Sequence, residues 1–196
     1  MPGSVFILSA YVGRSMRFRF LFSLILVGIV SVSSGFSSKA YATDKTDIAV
    51  GMKTLSMLNV KPSGIITVAV VYDPTSVASK ADADSIKEEI DNGVDVPRGI
   101  KLDSVLVSTN ELGKLERAKI IFIAKSVAIR NFDAISVAAS NAGALSISTD
   151  IDCVKANKCV IGIVSKPNVE IYLSTLAAER AKIGFAQVFM MLTKQI

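Results

Sequence analysis

Short apolar segments rich in β-branched residues recur along this chain, and helical segments separate them. Residues 65–72 (IITVAVVY) and 119–124 (KIIFIA) are apolar on both faces, which is typical of strands buried in the middle of a sheet. Further strands are predicted at 100–108 and 144–148, each preceded by a helical segment. Strands that alternate with helices favour a parallel sheet with helices on both faces.

The last two predicted strands break this alternation. Residues 160–165 and 169–174 are separated only by Lys166-Pro167-Asn168, which predicts an antiparallel hairpin at the edge of the sheet. The predicted fold is therefore α/β, with a mostly parallel sheet of about six strands, helices on both faces and an antiparallel edge hairpin. This is a three-layer architecture of the Rossmann-like or flavodoxin-like kind.

Helix boundaries follow from capping and breaking residues. A helix is predicted over 46–58, because Pro62-Ser63-Gly64 follows it. Ser79 and Asp82 have the spacing of a capping box, which predicts that the next helix opens at Ser79. That helix carries acidic residues beside lysines: Asp82, Asp84, Glu88 and Glu89. Their spacing indicates a solvated helix face on which opposite charges pair. Helices are also expected at 176–182 and 185–196.

The first 42 residues have the organisation of a secretory leader. A basic segment begins at Met16, an apolar run covers residues 20–32, and Ala40-Tyr41-Ala42 forms an A-x-A cleavage site. We expect translation to begin at Met16 and cleavage to follow Ala42, leaving a periplasmic domain of residues 43–196. The alternative is an uncleaved anchor, but the apolar run is shorter than the roughly 20 residues that a spanning helix needs.

The charge of the chain is concentrated in this leader. The 196 residues carry a net charge of +5, but residues 1–42 contain four basic and no acidic residues. The remainder is therefore nearly neutral, and we expect no nucleic-acid partner. Half of the chain (51%) is hydrophobic, which excludes an intrinsically disordered protein.

Residue types needed for common enzymatic chemistry are missing. The chain has no histidine, so a histidine base or ligand is excluded, and two cysteines cannot form a four-thiolate zinc site. The turn after the first strand, Asp73-Pro74-Thr75, lacks glycine fingerprints for nucleotides. We expect no cofactor, no metal and no catalytic residues, although a Ser126–Lys125 nucleophilic pair stays open as an alternative.

Small polar residues follow the predicted strands at their carboxyl ends, where open parallel sheets bind ligands. They would form hydrogen bonds to a small solute, or they would cap helices instead. The candidates are Asp73, Thr75, Ser76, Thr109, Asn110, Ser126, Ser148 and Thr149.

The two cysteines are close in sequence. Cys153 and Cys159 flank five residues, which allows a bridge across a loop, and an oxidising compartment favours an internal disulfide. A redox-active pair is the alternative, since Lys155 and Lys158 would favour a thiolate, but the spacing is not C-x-x-C.

The C-terminal segment has an apolar stripe at helical spacing. Five residues are expected to face the sheet: Phe185, Val188, Phe189, Leu192 and Ile196. Met190 and Met191 then flank the opposite face and form a candidate surface for a partner protein or a homodimer, unless another helix covers them.

Residues 143–196 resemble the C-terminal half of the YfiR/HmsC family of periplasmic proteins. The similar elements are Ala144–Ser148 with Asp150, Ile161-Gly162-Ile163, Val169-Glu170-Ile171 with the alanines that follow, and Ile183-Gly184-Phe185 through Leu192. Asp73-Pro74 and residues 118–123 also fit the family pattern. The family's Trp-Pro is Lys61-Pro62 here, and the second, more N-terminal disulfide of its best-known member has no counterpart.

The resemblance implies a non-enzymatic periplasmic regulator. Such a protein binds the sensor domain of an inner-membrane diguanylate cyclase and represses cyclic-di-GMP signalling and biofilm formation, and an outer-membrane lipoprotein can remove it. The resemblance also places Cys153 and Cys159 at a family disulfide. Two other classes stay open: a small periplasmic solute-binding module resembling one lobe of a periplasmic binding protein, and an enzyme of another kind.

Overall fold

A seven-stranded sheet forms the centre of the protein. The computed structural model describes residues 42–196, so the predicted leader lies outside the described residues except for its last residue, Ala42. The strands are β1 (Gly64–Tyr72), β2 (Ile100–Ser108), β3 (Ile120–Ile123), β4 (Leu145–Ser148), β5 (Ile161–Val164), β6 (Glu170–Leu173) and β7 (Lys194–Gln195).

The strand order is β2-β1-β3-β4-β5-β6-β7. The first five strands are mutually parallel, β5 and β6 are antiparallel, and β7 runs parallel to β6. The predicted α/β class, with a mostly parallel sheet and an antiparallel pair, is confirmed. The order β2-β1-β3-β4-β5 is that of flavodoxin-like sheets, in which the chain reverses direction across the sheet between β1 and β3.

Among residues 42–196, six helices and three 3-10 turns precede, connect or follow the strands. The helices are α1 (Lys45–Lys53), α2 (Val77–Asp91), α3 (Phe132–Ala142), α4 (Ile151–Lys155), α5 (Thr175–Arg180) and α6 (Gln187–Leu192). The 3-10 turns are Thr54–Met57, Leu112–Arg117 and Ile129–Asn131. Within residues 42–196 no helix is both long and apolar enough to cross a membrane.

Each face of the sheet carries its own core. On β1, Val68 and Val70 point to one face, while Ala69 and Val71 point to the other. Residues of α1, α2, α5 and α6 cover the first face, and residues of α3, α4 and the turn 112–117 cover the second. Burial on both faces explains why β1 and β3 are almost entirely apolar.

Two predicted helix boundaries are wrong. The helix α2 begins at Val77, and Ser76 caps it by accepting a hydrogen bond from Ser79 N at 3.1 Å. Ser79 is therefore inside the helix, and its hydroxyl accepts a bond from Asp73 N at 3.1 Å. The predicted helix over 46–58 divides into α1 and a 3-10 turn.

The predicted helix over 185–196 is also wrong. After α6 the chain becomes extended at Thr193 and pairs with β6, with Tyr172 opposite Lys194. Ile196 N donates to Leu173 O at 2.9 Å, and the Lys194 ammonium lies 2.6 Å from the Glu170 carboxylate. Pairing satisfies backbone groups at an otherwise open sheet edge, and a continued helix would leave them unpaired.

Candidate functional site

The carboxyl ends of the five parallel strands meet at one edge of the sheet, which we call the carboxyl edge. The loops after β1, β3 and β4 bring Asp73, Lys125 and Thr149 to this edge. The chain between the predicted leader and α1 also reaches it, and Thr43 is buried there. In open α/β sheets this is the usual place for a ligand, at the point where the strand order reverses.

Asp73 connects two loops of the carboxyl edge. Its Oδ1 accepts hydrogen bonds from Thr75 N (2.9 Å) and Thr75 Oγ1 (2.6 Å), while its Oδ2 accepts from Asn131 Nδ2 (3.1 Å) and Ala128 N (3.4 Å). The Thr75 hydroxyl first, then the backbone nitrogens of Thr75 and Ala128 and the charge of Arg130, lower the pKa of the Asp73 carboxyl below its ordinary value. The carboxylate is buried and fully engaged, so it holds the loops together.

Asp82 is neither in a capping box nor on a solvated face, so both predictions for this residue are wrong. It is 4% exposed and lies one turn inside α2. Its carboxylate accepts hydrogen bonds from Thr43 N at 2.6 Å, Thr43 Oγ1 at 3.0 Å and Lys125 N at 2.7 Å. These bonds tie α2 to the loop after β3 and to the segment before α1, contacts that sequence spacing does not indicate.

Two other acidic residues of α2 pair with lysines of the same helix, whereas Glu89 pairs with Lys45 of α1. Lys80 pairs with Asp84 and Lys87 with Asp91, both at i,i+4 spacing on the exposed side of the helix. The bonds from Lys87 and from the Ser104 hydroxyl lower the pKa of the Asp91 carboxyl. These are surface pairs of small energetic weight.

The two candidates that follow β4 make internal bonds. Thr149 Oγ1 lies 2.9 Å from Thr43 Oγ1, and Ser148 Oγ accepts a hydrogen bond from Asp150 N at 3.0 Å. Asp150 in turn caps α4 through Asp152 N. Both side chains are buried, so the structure uses them to close loops.

The other predicted ligand residues are dispersed along the edge. Ser76 caps α2, Thr75 bonds to Asp73, and Thr109 N donates to Tyr72 O at 2.9 Å. Asn110 is exposed on the loop after β2. Ser126 is exposed, with a left-handed backbone (φ 60°), and lines an open cavity.

Two cavities lie at the carboxyl edge. One of about 480 Å³ is lined by Lys125, Ser126, Thr149 and the start of α4. The other, of about 220 Å³, is lined by Ala42, Asp44, Asp47 and the loop after β5. The Lys166 ammonium lies 2.8 Å from Asp44 and lowers the pKa of that carboxyl.

A third cavity was not predicted from the sequence. It occupies about 470 Å³ at the opposite edge of the sheet, where β1, β3 and β4 begin. Its walls are mostly apolar, and they include Leu55, Leu58 and Ile183 together with Lys119 and Lys182. These residues are far apart along the chain, so only the topology brings them together.

The cysteines form a disulfide. Cys153 in α4 is bonded to Cys159 just before β5, with their Cα atoms 5.4 Å apart. Both are completely buried in the core under α3. The bridge closes the turn that joins α4 to β5, and the first two residues of the segment predicted as a loop, Val154 and Lys155, belong to α4.

The predicted apolar stripe near the C-terminus is only partly correct. Phe185 and Phe189 are buried and stack with ring centroids 5.0 Å apart. Three members predicted to face the sheet are exposed instead: Val188, Leu192 and Ile196. The short α6 followed by β7 turns them outward. Of the candidate partner residues, Met190 packs against the core and Met191 is exposed.

We define the C-terminal apolar surface as four exposed side chains in the last nine residues. They are Val188 (58% exposed), Met191 (78%), Leu192 (77%) and Ile196 (41%). Large apolar residues exposed as a group at a surface mark an interaction site more often than scattered ones do.

Comparisons with known proteins show the fold. No family profile and no curated protein matches the chain. One similar solved structure is a conserved domain protein from Vibrio cholerae O1 biovar eltor, and another is an ABC domain in complex with L-Trp from Streptococcus pneumoniae. Each has a TM-score of 0.52 and 12% identity, covering 77% of this chain and 59% of the other. The chain thus spans somewhat over half the length of these neighbours, and the likeness is one of α/β fold.

Proposed function

We propose that this protein is a non-enzymatic periplasmic regulator of the YfiR kind. In this proposal it binds the periplasmic sensor domain of an inner-membrane diguanylate cyclase and represses cyclic-di-GMP signalling and biofilm formation. An outer-membrane lipoprotein would compete for the repressor. The observation that carries the proposal is the C-terminal apolar surface, together with the sequence resemblance described above.

The energetics favour a protein partner for this surface. Burying a Leu or Met side chain contributes about 1.5–3 kcal/mol, so covering Met191 and Leu192 supplies a useful part of a binding free energy. Methionine is also common at adaptable interfaces because its side chain is flexible. The neighbouring Lys194 is paired with Glu170, so it does not place an uncompensated charge beside the apolar residues.

The polar groups of the carboxyl edge favour recognition of a protein at the surface over binding of a small solute at this edge. Asp73, Asp82, Ser148 and Thr149 are buried and bonded to other groups of the protein. Binding a solute through them would first break these bonds, which costs free energy.

Recovery of the cyclase from solubilised membranes tests this proposal. The exported protein is used as bait, and the double variant Met191→Glu/Leu192→Glu is compared with Val137→Glu. Val137 is a matched control, because it is equally apolar, 61% exposed, and lies on α3 across the sheet. We expect the double variant to recover the cyclase at least about tenfold less, and the control to bind normally.

Three results would contradict the proposal. They are recovery of no diguanylate cyclase by the unmodified protein, equal loss with the Val137 control, and undiminished recovery with the double variant. Sedimentation velocity of the same three proteins tests the homodimer alternative, in which the double variant sediments as a smaller species with no membrane partner involved.

A second candidate function is binding of a small solute such as an amino acid. The observations that favour it are the cavity of about 480 Å³ at the carboxyl edge and the structural neighbour in complex with L-Trp. The ammonium of Lys125 and the exposed Ser126 hydroxyl would meet a ligand carboxylate there. Calorimetric titration with L-Trp and other L-amino acids tests it. Lys125→Ala should abolish any heat of binding, whereas the exposed Lys114→Ala should not.

A further inference from the structure

Thr43 is held in the body of the protein by its backbone nitrogen as well as by its side chain. Thr43 N lies 2.6 Å from Asp82 Oδ1, and Thr43 Oγ1 lies 3.0 Å from Asp82 Oδ2. Thr43 Oγ1 also lies 2.9 Å from Thr149 Oγ1. Both Thr43 and Asp82 are buried, at 4% exposure each.

Asp82 is a buried carboxylate, and among residues 42–196 it forms an ion pair with no lysine or arginine. In the described part of the chain, its hydrogen-bond donors are two groups of Thr43 and the backbone nitrogen of Lys125. A buried charge without a counter-ion is costly, so this position is suited to a positive group.

We infer that Asp82 is the binding site for the protein's own α-ammonium group, created by cleavage after Ala42. This inference rests on the cleavage that we propose. Hydrolysis adds water across the Ala42–Thr43 amide, leaving a carboxylate on Ala42 and an amine on Thr43. At neutral pH an α-amino group is largely protonated. The nitrogen that donates one hydrogen bond to Asp82 thereby becomes an ammonium with positive charge and three donors.

The surroundings hold this nitrogen in place. Asp44 and Asp47 form a capping box at the start of α1, which fixes the direction of the chain directly after Thr43. Ala42 is exposed and borders the cavity of about 220 Å³, so the Ala42–Thr43 bond lies at the surface of the described body. The ammonium lies where α2, the loop after β3 and the loop after β4 meet, near the reversal of strand order.

The expected consequence is that maturation stabilises the fold. In the leader-bearing chain the Thr43 nitrogen is a neutral amide, and its bond to Asp82 lacks the charge on the donor. Hydrogen bonds between two charged groups are stronger than those with one neutral partner. The mature protein thus gains an ion pair that clamps three elements of the carboxyl edge.

A comparison of two amino termini tests the inference. Residues 43–196 contain every strand and helix described and both cores of the sheet, so a protein that begins at Thr43 retains all of the described fold. A cleavable carrier releases protein that begins at Thr43 or, as the matched control, at Ala42. We expect the folding equilibrium constant, measured by urea unfolding, to be at least about tenfold larger for the Thr43 protein.

The same comparison in the Asp82→Asn background isolates the ion pair. The difference between the two termini should disappear there, because the charge of the acceptor has been removed. Two results would overturn the inference. One is equal stability of the Thr43 and Ala42 proteins with Asp82 present, and the other is an undiminished difference in stability between them in the Asp82→Asn background.

A measurement on the unmodified sequence covers the case in which Asp82→Asn does not fold. The rate at which the Thr43 α-amino group is acylated can be measured from the mass of the N-terminal peptide. This rate should be at least about tenfold lower in folded than in urea-unfolded protein. Equal rates would overturn the inference.

The intact mass of the exported full chain separates this inference from the proposed cleavage. A product that begins at another residue overturns both. A product that begins at Thr43 but shows no dependence of stability on its terminus overturns the ion pair alone.

Discussion

Asn131 donates a hydrogen bond from its Nδ2 to Asp73 Oδ2 at 3.1 Å, joining the end of β1 to the turn before α3. The two residues are 58 positions apart, and they follow the neighbouring strands β1 and β3 at the carboxyl edge. Asp73 also accepts from Thr75 and Ala128, so one buried carboxylate fixes two loops of the edge.

Replacing Asp73 should destabilise the protein measurably. Asp73→Asn removes the negative charge and turns part of an acceptor into a donor that faces other donors. We expect the free energy of unfolding to fall by about 1–3 kcal/mol in urea unfolding. Asp103→Asn is the control, because Asp103 is exposed on β2, and it should change stability by less than about 0.5 kcal/mol. Equal effects of the two substitutions would contradict the role of Asp73.

The contribution of Asp73 should depend on pH. Its pKa in the folded protein is lowered, chiefly by the Thr75 hydroxyl, so the folded state binds a proton there less readily than the unfolded state. The carboxylate therefore stabilises the fold above the unfolded pKa of about 3.9, and that stabilisation is lost as the pH falls through the lower, folded pKa. Urea unfolding from pH 7 to pH 2.5 should show a wild-type advantage over Asp73→Asn that shrinks on acidification. A constant advantage would be inconsistent with this explanation.

The disulfide should be present in exported protein and should stabilise it. Thiol titration of unreduced, unfolded protein should find no free thiol. Replacing Cys153 and Cys159 together should lower stability by roughly 2 kcal/mol on the chain-entropy model of a short loop. Alanine is the suitable replacement, because both positions are buried in an apolar core and a serine hydroxyl would be unpaired there. Two free thiols in unreduced exported protein would contradict the bridge.

Gly162 should not tolerate a side chain. A Cβ atom at this position in β5 would lie 2.6 Å from Val154 Cγ1 of α4, which packs directly on the strand. We expect Gly162→Ala to lower stability by about 1–3 kcal/mol through overpacking. Gly113→Ala is the control, since nothing lies within 4 Å of a Cβ there, and it should be neutral. Differential scanning calorimetry compares the two, and a neutral Gly162→Ala would show that α4 can move away.

The adjacent methionines should respond differently to charge. Met190 packs against the core, whereas Met191 is 78% exposed. Met190→Glu should destabilise the protein by about 2 kcal/mol or more, because it places a carboxylate against apolar groups. Met191→Glu should change stability by less than about 1 kcal/mol. Thermal unfolding of both variants measures this, and similar shifts would contradict the orientation of α6.

Much of the sheet could be predicted from local pattern. The strands β1 and β3 are apolar on both faces because helices cover both sides of the sheet, and this leaves a clear signal. The hairpin of β5 and β6 was predicted from two apolar segments around Lys166-Pro167-Asn168. Gly143 ends α3 in the left-handed conformation of a helix C-cap, a position that favours glycine.

The sequence predicted where the carboxyl edge lies, but it did not predict which side chains contact one another there. Sequence spacing assigned Asp82 to a capping box and a solvated face, but its partners are Thr43 and Lys125, 39 and 43 residues away. Similarly, helical spacing placed Leu192 and Ile196 toward the sheet, but α6 ends at Leu192 with that side chain exposed, and Ile196 is exposed after β7 pairs with β6. In both cases the local sequence pattern is compatible with a buried position and with an exposed one.

The sequence by itself determined the α/β class, the buried central strands and the proximity of the two cysteines, because these depend on periodicity and on short separations. Only the tertiary structure decided which polar groups meet at the carboxyl edge and which apolar groups remain on the surface. The physical reason is that hydrogen bonding and burial depend on neighbours in space, and the parallel topology brings together loops that are tens of residues apart. Thr43 is the clearest case, since nothing in its own sequence neighbourhood indicates that its nitrogen lies against a buried carboxylate.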